Sequence, residues 1–311
     1  MSIRNKEENN IENNVDHKRT KRIIYRVLQI VFLIGLLISI IGIGKEVYDL
    51  YQEELFYQQL QNQVNKPSTE TQTDSQEPSG SESEVPSETE SETEPNKNPT
   101  LEDLGIKPPE KNIDWAAMKE MNEDIYAWIY IPGTYVDHPV LQHPTKMSYY
   151  LDKNPQRKYS KYGSVYSQFL NKKDFTDPNT VIYGHKWINT TEIFTTLHYY
   201  ESLEFFEKYR YIYIYTPDRV LVYEVFAAYE GLNENILITY DLSIESSYAA
   251  YLKSIFEARD RNAHYLDGLE LTTADRIVTL STCISYKPEQ RYLVQGVLLN
   301  PGDLPIAEEN E

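Results

Sequence analysis

Ile277-Val278-Thr279-Leu280-Ser281-Thr282-Cys283 is a run in which apolar and small polar side chains alternate. Successive side chains of a β-strand point to opposite faces of the sheet. One face therefore carries Val278, Leu280 and Thr282, and the other carries Thr279, Ser281 and Cys283. The pattern predicts a strand with one half-polar face that ends at Cys283.

A second strand is predicted to begin at Arg291, after an intervening segment from Ile284 to Gln290. An antiparallel hairpin of this length brings Cys283 and Arg291 roughly opposite each other, about 5 Å apart. A guanidinium group at that distance favours a thiolate over a thiol, and it can donate hydrogen bonds to an oxyanion. The alternative is an arginine that only caps the loop or pairs with Glu289.

A thiol nucleophile also needs an acid/base partner, and His185 is the best candidate because it follows a short apolar strand and the permissive Gly184. The other histidines have no comparable context; they are His17, His138, His143, His198 and His264.

No metal or cofactor site is predicted. Cys283 is the only cysteine, which excludes an intrachain disulfide and a thiolate metal cluster. His138 and His143 are five residues apart on a predicted strand, so they point to opposite faces, and no third ligand accompanies them.

The globular part is predicted to be mainly β, a closed eight-stranded barrel with peripheral helices. A short helix follows the N-cap candidate Asp114, and Thr216–Arg219 form a hairpin turn. Two further helical patterns cover residues 192–209 and 244–258. The predicted strands are Tyr126–Ile131, Thr134–Leu141, Ser164–Tyr166, Thr180–Gly184, Tyr211–Thr216, Val220–Tyr229, Ile277–Cys283 and Arg291–Leu299.

The N-terminal part has the pattern of a membrane anchor. Residues 1–22 are polar and end in basic side chains, residues 23–44 are apolar enough to span a bilayer, and acidic side chains follow. This charge asymmetry predicts a cytoplasmic N-terminus and an extracellular catalytic domain. A cleaved signal peptide is disfavoured because no small-residue cleavage site precedes Lys45.

Residues 45–64 have near-helical apolar spacing and are predicted to form a stalk. Residues 65–111, rich in Ser, Thr, Glu and Pro, are predicted to be a disordered linker before a catalytic domain at 112–305 and a tail at 306–311. The net charge of −18 argues against a nucleic-acid partner, because phosphate binding depends on concentrated Lys and Arg.

Three ordered motifs resemble those of the sortase family. Thr279–Cys283 followed by Arg291-Tyr292-Leu293-Val294 is similar to the family's active-site signature, and Val181-Ile182-Tyr183-Gly184-His185 is similar to its histidine strand. Residues 115–142 resemble the start of a class B domain, and the long connection from Gly231 to Thr273 also favours class B. The resemblance covers residues 112–301.

The resemblance implies a cysteine transpeptidase that cleaves a C-terminal sorting motif after Thr and forms a thioacyl enzyme. Cys283 would be the nucleophile, His185 the acid that protonates the leaving amine, and Arg291 the group that holds the oxyanion. An amine of the cell wall or a pilin lysine would then take the acyl group. Ser281 and Thr282 would contact substrate, although Ser281 could equally satisfy the sheet edge.

Two departures from the family pattern concern the substrate groove. Lys186 and Trp187 replace the Asn and Met often seen after the family histidine, and Met147 stands where class B relatives commonly carry Asn. Two other functions stay open: a catalytically silent binding module on a tether, and a cysteine peptidase that hydrolyses its thioester. Wall anchoring and pilus polymerisation are not separated by the sequence.

Overall fold

The computed structural model describes residues 2–66, 98–187, 193–257 and 262–305. The chain divides into two compact units, Met1–Gln58 and Gln59–Glu311. Residues 67–97, which form most of the predicted linker, and the predicted tail at 306–311 lie outside the described residues.

The described residues of the first unit all lie in one helix, α1, which covers Ser2–Val64. Its segment Arg19–Val64 is the one helix in the described part of the chain that is long and apolar enough to cross a membrane. The apolar side chains between Ile23 and Val47 are exposed, as expected of a surface that meets lipid. The chain therefore carries one candidate for a single-pass anchor, at the predicted span 23–44.

In its described residues, the second unit is built around nine strands: β1 Ile125–Tyr130, β2 Asp137–Leu141, β3 Val165–Ser167, β4 Asn179–Tyr183, β5 Tyr211–Tyr215, β6 Val220–Leu232, β7 His264–Tyr265, β8 Ile277–Cys283 and β9 Gln290–Leu298. The strand order is β5-β1-β2-β3-β4-β8-β9-β6-β7, and β5 also pairs with β6. This pairing closes eight strands into a barrel and leaves β7 as an appendage on β6. The predicted eight-stranded barrel is confirmed.

The predicted short helix and hairpin are also confirmed. Helix α3, Trp115–Met121, begins after Asp114, whose side chain accepts a hydrogen bond from the Ala117 amide as an N-cap. The β5–β6 hairpin turns at the predicted residues, where the Thr216 amide donates to the Arg219 carbonyl at 2.9 Å.

The helical pattern predicted over 192–209 forms two shorter elements. A 3₁₀ helix covers Thr195–Glu201, and α4 covers Leu203–Lys208. The break falls at Ser202, whose side chain caps α4 by accepting from the Phe205 amide. Residue 192 lies outside the described residues.

Residues 98–111, assigned above to the linker, are folded against the barrel. Helix α2, Leu101–Leu104, begins with a capping box at Thr100, and the Leu101 amide donates to the Asp303 carboxylate at 2.9 Å. The Tyr215 hydroxyl donates to the Pro109 carbonyl at 2.6 Å. Residues 98–111 are therefore part of the folded second unit.

The connection between β6 and β8 covers the outer face of the barrel with α5, Ile236–Thr239, and α6, Glu245–Ile255. Buried side chains of α6 share an apolar cluster with Phe226 and Ala227 of β6. Beneath α6, Gln295 donates to the hydroxyls of Tyr251 and Thr279 at 2.9 and 2.8 Å. The helix thus covers the polar face of β8 as far as Thr279, while Ser281 and Cys283 reach the cleft described next.

Candidate active site

Two parallel strands bring His185 and Cys283 to the same edge of the sheet. In the β4–β8 register, Tyr183 lies beside Ser281, and the Gly184 amide donates to the Ser281 carbonyl at 3.1 Å. His185 follows Tyr183 by two residues, and Cys283 follows Ser281 by two. Because the carboxyl ends of parallel strands share one edge, the two residues lie side by side.

Cys283 pairs directly with Arg291 across the antiparallel β8–β9 ladder, which confirms the predicted register. The Cys283 side chain is partly exposed. Arg291 Nη1 donates to the carbonyls of Pro288 and Gln290 at 3.2 and 2.9 Å. The arginine therefore caps the loop, as the alternative interpretation held, and the pairing with Glu289 is absent among the described residues.

The imidazole of His185 is oriented by a main-chain contact. Its Nε2 lies 2.8 Å from the Leu151 carbonyl oxygen, which can only accept a hydrogen bond. In the neutral ring the proton must then reside on Nε2. This leaves Nδ1 as the nitrogen that can exchange a proton with a reacting group.

Burial lowers the pKa of His185 from its ordinary value. The hydrogen bond to Leu151 opposes this shift, whereas the positive charge of Arg291 adds to it. His185, Cys283 and Arg291 also line one cleft. All three predicted catalytic residues therefore meet in one place.

Gly184, which precedes His185, packs so closely against Phe194 that only a residue without a side chain fits there. A Cβ at Gly184 would come within 2.6 Å of the Phe194 ring. Real Cβ atoms essentially never approach other atoms this closely, so any larger residue would push the strand end or the ring aside.

A buried polar cluster holds the 3₁₀ helix Tyr149–Leu151, whose last residue presents its carbonyl to His185. The Tyr150 hydroxyl donates to the Asp124 carboxylate and accepts from the Asn122 amide. Arg157 reaches the same cluster, with Nε donating to the Asn122 oxygen at 3.1 Å. The partner of His185 is therefore anchored through its neighbour in the chain.

A cleft of about 230 Å³ opens above these residues. Its lining combines the three predicted catalytic residues with the ends of β3, β4 and β8 and with the start of the β6–β8 connection: Ser148, Leu151, Tyr166, Gln168, Tyr183, Gly184, His185, Asn233, Glu234, Asn235, Ser281, Thr282, Cys283 and Arg291.

The predicted substrate contacts Ser281 and Thr282 both line this cleft. Both are nearly inaccessible in the free chain, with exposed fractions of 6% and 1%. Three buried atoms of cleft-lining residues have no hydrogen-bond partner among the described residues: Tyr183 Oη, Asn235 Oδ1 and Thr282 Oγ1. Unsatisfied buried polar atoms are uncommon, and a bound ligand is one way to satisfy them.

Tyr166 is a cleft residue that the sequence analysis did not single out. Its ring stacks on Tyr183 with the centroids 5.6 Å apart. The pKa of Tyr166 is raised to about 12, mainly by burial and also by the charge of Cys283, while the charge of Arg291 opposes the shift. The stacked pair thus forms an apolar wall next to the candidate nucleophile.

The β8–β9 loop is tied to the end of β6, which fixes the far side of the cleft. The Asn233 amide donates to the Glu289 carbonyl at 2.9 Å, and its side chain donates to the Pro288 carbonyl at 3.0 Å. Lys287 forms an ion pair with Glu230. The same loop carries the carbonyls that hold Arg291, so these contacts also position the guanidinium group.

His138 and His143, the two histidines considered for a metal site, do not lie on one strand. His138 lies in β2 and is fully buried, whereas β2 ends at Leu141, before His143. Within the described ranges, no group of three or more His, Cys, Asp or Glu residues is arranged to hold a metal ion.

The family model described as "Sortase domain" matches residues 129–299, more than half of the chain. Sortase B of Listeria monocytogenes is 27% identical over 184 residues, which cover 58% of this chain and 72% of that protein.

Two solved structures are similar at comparable levels. The Staphylococcus aureus sortase B–substrate complex is 28% identical with a TM-score of 0.52, covering 60% of this chain and 84% of that one. A Streptococcus pyogenes class B sortase involved in pilus biogenesis is 26% identical with a TM-score of 0.51, covering 60% and 98%. With the barrel, its cysteine strand and the family model in agreement, this chain belongs to the sortase family.

Proposed function

We propose that this chain is a membrane-anchored class B sortase that joins a protein bearing a C-terminal sorting motif to an amine at the cell surface. The observation that carries the proposal is the meeting of His185, Cys283 and Arg291 in one cleft, at the ends of the neighbouring strands β4, β8 and β9. A nucleophile, an acid/base and an oxyanion donor are the groups that acyl transfer through a thioester needs.

In the first half of the reaction, the Cys283 thiolate attacks the carbonyl carbon of the motif's threonine. The peptide C–N bond breaks as the leaving nitrogen takes a proton from His185, and a thioacyl enzyme forms. The imidazole starts this step protonated, with Leu151 orienting it through Nε2. It ends the step neutral, ready to act as a base.

In the second half, an acceptor amine attacks the thioester carbon and gives a proton to neutral His185. The C–S bond breaks and the Cys283 thiolate is regenerated, so the peptide bond that was lost is replaced by a new amide. Water as acceptor would instead give hydrolysis, which is the competing outcome of the same intermediate.

The hydrogen bonds that hold Arg291 leave part of its guanidinium group able to bind the oxyanion. Within the described residues only its Nη1 donates hydrogen bonds, to the carbonyls of Pro288 in the loop and Gln290 at the start of β9. The Nε and Nη2 groups are thus available to a substrate oxygen, and a guanidinium fork suits that task. Loop capping and oxyanion binding are therefore compatible roles for one side chain.

The cleft supports an extended peptide as substrate. The unsatisfied atoms of Tyr183, Asn235 and Thr282 offer hydrogen-bonding groups, and the Tyr166–Tyr183 stack offers an apolar wall. Ser281 and Thr282 are proposed to contact the residues that precede the scissile bond.

The proposed location has the N-terminus in the cytoplasm and the barrel outside the membrane. It rests on the basic side chains before the apolar helix segment and the acidic ones after it. The proposed acceptors are a peptidoglycan amine or a pilin lysine.

Mass spectrometry of the full-length chain in detergent tests the proposal. The wild type and the Cys283→Ala variant are incubated with a library of Thr-containing sorting peptides, with and without an amine acceptor. We expect a Cys283-dependent acyl adduct that moves to the amine. Release of the acyl group to water at the same rate, whatever amine is present, would favour the cysteine peptidase. The absence of an adduct with every peptide would favour the silent binding module.

A further inference from the structure

His198 contacts the nucleophile's main chain from outside the cleft. It lies on the 3₁₀ helix Thr195–Glu201, and its Nε2 is 3.0 Å from the carbonyl oxygen of Cys283. Its Nδ1 pairs with the carboxylate of Glu201. The ring also stacks on Tyr292 of β9, with the centroids 4.7 Å apart and the planes at 22°. Only 10% of the side chain is exposed, so its position is held on three sides.

Both ring nitrogens of His198 face hydrogen-bond acceptors. A carbonyl oxygen and an ionised carboxylate can only accept hydrogen bonds, so each of the two ring nitrogens must carry a proton to satisfy both. The ring that satisfies both is an imidazolium. Glu201 supplies the opposite charge, which makes a charged ring acceptable at a nearly buried position.

The hydrogen bond between His198 and the Cys283 carbonyl lies at the end of β8. Cys283 is the last residue of the strand, and the chain then leaves the sheet for the loop to β9. A charge-assisted hydrogen bond to the Cys283 carbonyl restrains the peptide unit that follows the nucleophile. The Nε2 side of the ring faces Cys283 while the Glu201 carboxylate lies on the Nδ1 side, so the positive end of the pair points towards the nucleophile and favours the thiolate.

Other charged groups surround His198 and Glu201. Glu204 and Lys208 of α4 line the same groove as His198 and Glu201, and His264 of β7 contacts the Glu201 carbonyl oxygen at 3.0 Å. Lys186 lies within electrostatic range of both Glu201 and Cys283. Among these charged groups, His198 is the one that hydrogen bonds to the Cys283 main chain.

We propose that the His198–Glu201 pair positions the nucleophile: the imidazolium fixes the main chain of Cys283 and stabilises its thiolate, and Glu201 holds the imidazolium. His198 does not line the substrate cleft, so it acts through Cys283 and is a positioning residue. The proposal rests on Cys283 being the nucleophile of the proposed function.

The test uses the full-length chain in detergent and two readouts. The first is the rate of alkylation of Cys283 by iodoacetamide as a function of pH, which reports only this thiol because it is the sole cysteine. The second is the single-turnover rate of acyl-enzyme formation with a sorting peptide. The variants are His198→Leu, His198→Gln and Glu201→Gln. Glu204→Gln is the matched control, because it removes a carboxylate from the same groove without touching His198.

For His198→Leu we expect the alkylation midpoint to move to higher pH and acylation to slow by about tenfold or more, since small displacements of a reacting group have effects of this size. His198→Gln keeps a hydrogen-bond donor without the charge, so it should recover most of the acylation rate but not the midpoint. Glu201→Gln should shift the midpoint in the same direction, and Glu204→Gln should shift neither readout.

Near-wild-type alkylation profiles and acylation rates in both His198→Leu and Glu201→Gln would overturn the proposal. If His198→Leu does not fold, as judged by near-UV circular dichroism, the results for Glu201→Gln and His198→Gln alone decide whether the proposal stands. Alkylation needs no sorting peptide. If no peptide acylates Cys283 but the variants still shift the alkylation midpoint, the positioning role would stand and the proposed function would be rejected.

Discussion

Cys283 and Arg291 form the last cross-strand pair of the β8–β9 ladder, at the end where the two strands separate into their loop. The guanidinium group is held by carbonyls of that loop rather than by an acidic side chain. A carboxylate partner would cancel its charge, whereas neutral carbonyls leave the charge available to the thiolate and the oxyanion. The pairing therefore places a cation beside the candidate nucleophile without neutralising it.

Arg291→Lys should reduce acyl-enzyme formation by about 100-fold, the scale at which the loss of one oxyanion donor is felt. The ammonium keeps the charge but cannot hold the loop carbonyls and present further donors in one plane. Single-turnover kinetics with a sorting peptide measure the effect. A variant with near-normal turnover would count against the oxyanion role, while unchanged near-UV circular dichroism would show that the barrel is intact.

Cys283→Ala should abolish the acyl adduct and leave the fold unchanged. The side chain is partly exposed and ends its strand, so its removal leaves no large core cavity. Intact-mass spectrometry and thermal unfolding measure the two effects. Residual adduct formation would show that another residue accepts the acyl group, and a large loss of stability would assign the cysteine to packing.

Local patterns were sufficient for much of the fold. The alternation in residues 277–283 and the short segment before Arg291 predict a hairpin, because an antiparallel pair joined by a short loop has few possible registers. The same reasoning predicts the turn at 216–219. The two-residue strand β7 was missed, since a segment of that length has no detectable alternation.

Contacts between distant segments could not be derived in this way. The parallel pairing of β4 with β8 brings together residues such as Asn179 and Thr279, which are 100 positions apart and share a buried hydrogen bond at 2.9 Å. His185 was chosen as the partner of Cys283 because it follows a short apolar strand and Gly184, and the family resemblance agreed with that choice; the spacing between the two residues predicts no contact. The carbonyl of Leu151 was missed because a main-chain acceptor leaves no trace in residue types, and His198 because nothing local separates it from the other histidines.

Arg291→Gln should raise the pKa of His185. The positive charge of Arg291 is one cause of the lowered pKa, so removing that charge makes protonation of the ring easier. Titration of the His185 ring by NMR in the full chain measures the shift. Arg291→Lys is the control, because it keeps the charge and should leave the pKa closer to that of the wild type. Equal titration in Gln and wild-type chains would mean that the two groups do not interact.

His138 should make stability fall at acid pH. Burial lowers its pKa from 6.5 in the unfolded chain to about 4 in the folded one. Above pH 6.5 both states hold the neutral ring, and the full stability is present. As the pH falls from 6.5 towards 4, only the unfolded state gains a proton, and the loss reaches on the order of 3 kcal/mol.

Urea unfolding of the full chain at several pH values, followed by near-UV circular dichroism, measures this slope. His138→Gln should flatten it, whatever its effect on stability at pH 7. His143→Gln, in which a partly exposed histidine beyond the strand is replaced, should keep the wild-type slope. Parallel curves for the wild type and His138→Gln would assign the acid sensitivity to other groups.

Asp137→Asn should destabilise the second unit by about 3 kcal/mol, because breaking a buried ion pair leaves an uncompensated charge. The Asp137 carboxylate accepts from Lys111 Nζ at 2.7 Å, Trp128 Nε1 at 2.6 Å and Asn65 Nδ2 at 2.9 Å. The Lys111 side chain is only 3% exposed, so water cannot replace the lost partner.

Urea unfolding of the full chain at pH 7 measures this effect, with Asp218→Asn as the matched control. Asp218 also forms an ion pair, with Arg219, but its side chain is 59% exposed, and its loss should change the stability by less than about 1 kcal/mol. Adding Lys111→Met to Asp137→Asn should recover part of the stability, because the double variant leaves no buried charge. Equal effects of the two single variants would show that the Lys111–Asp137 pair contributes no more than a surface pair.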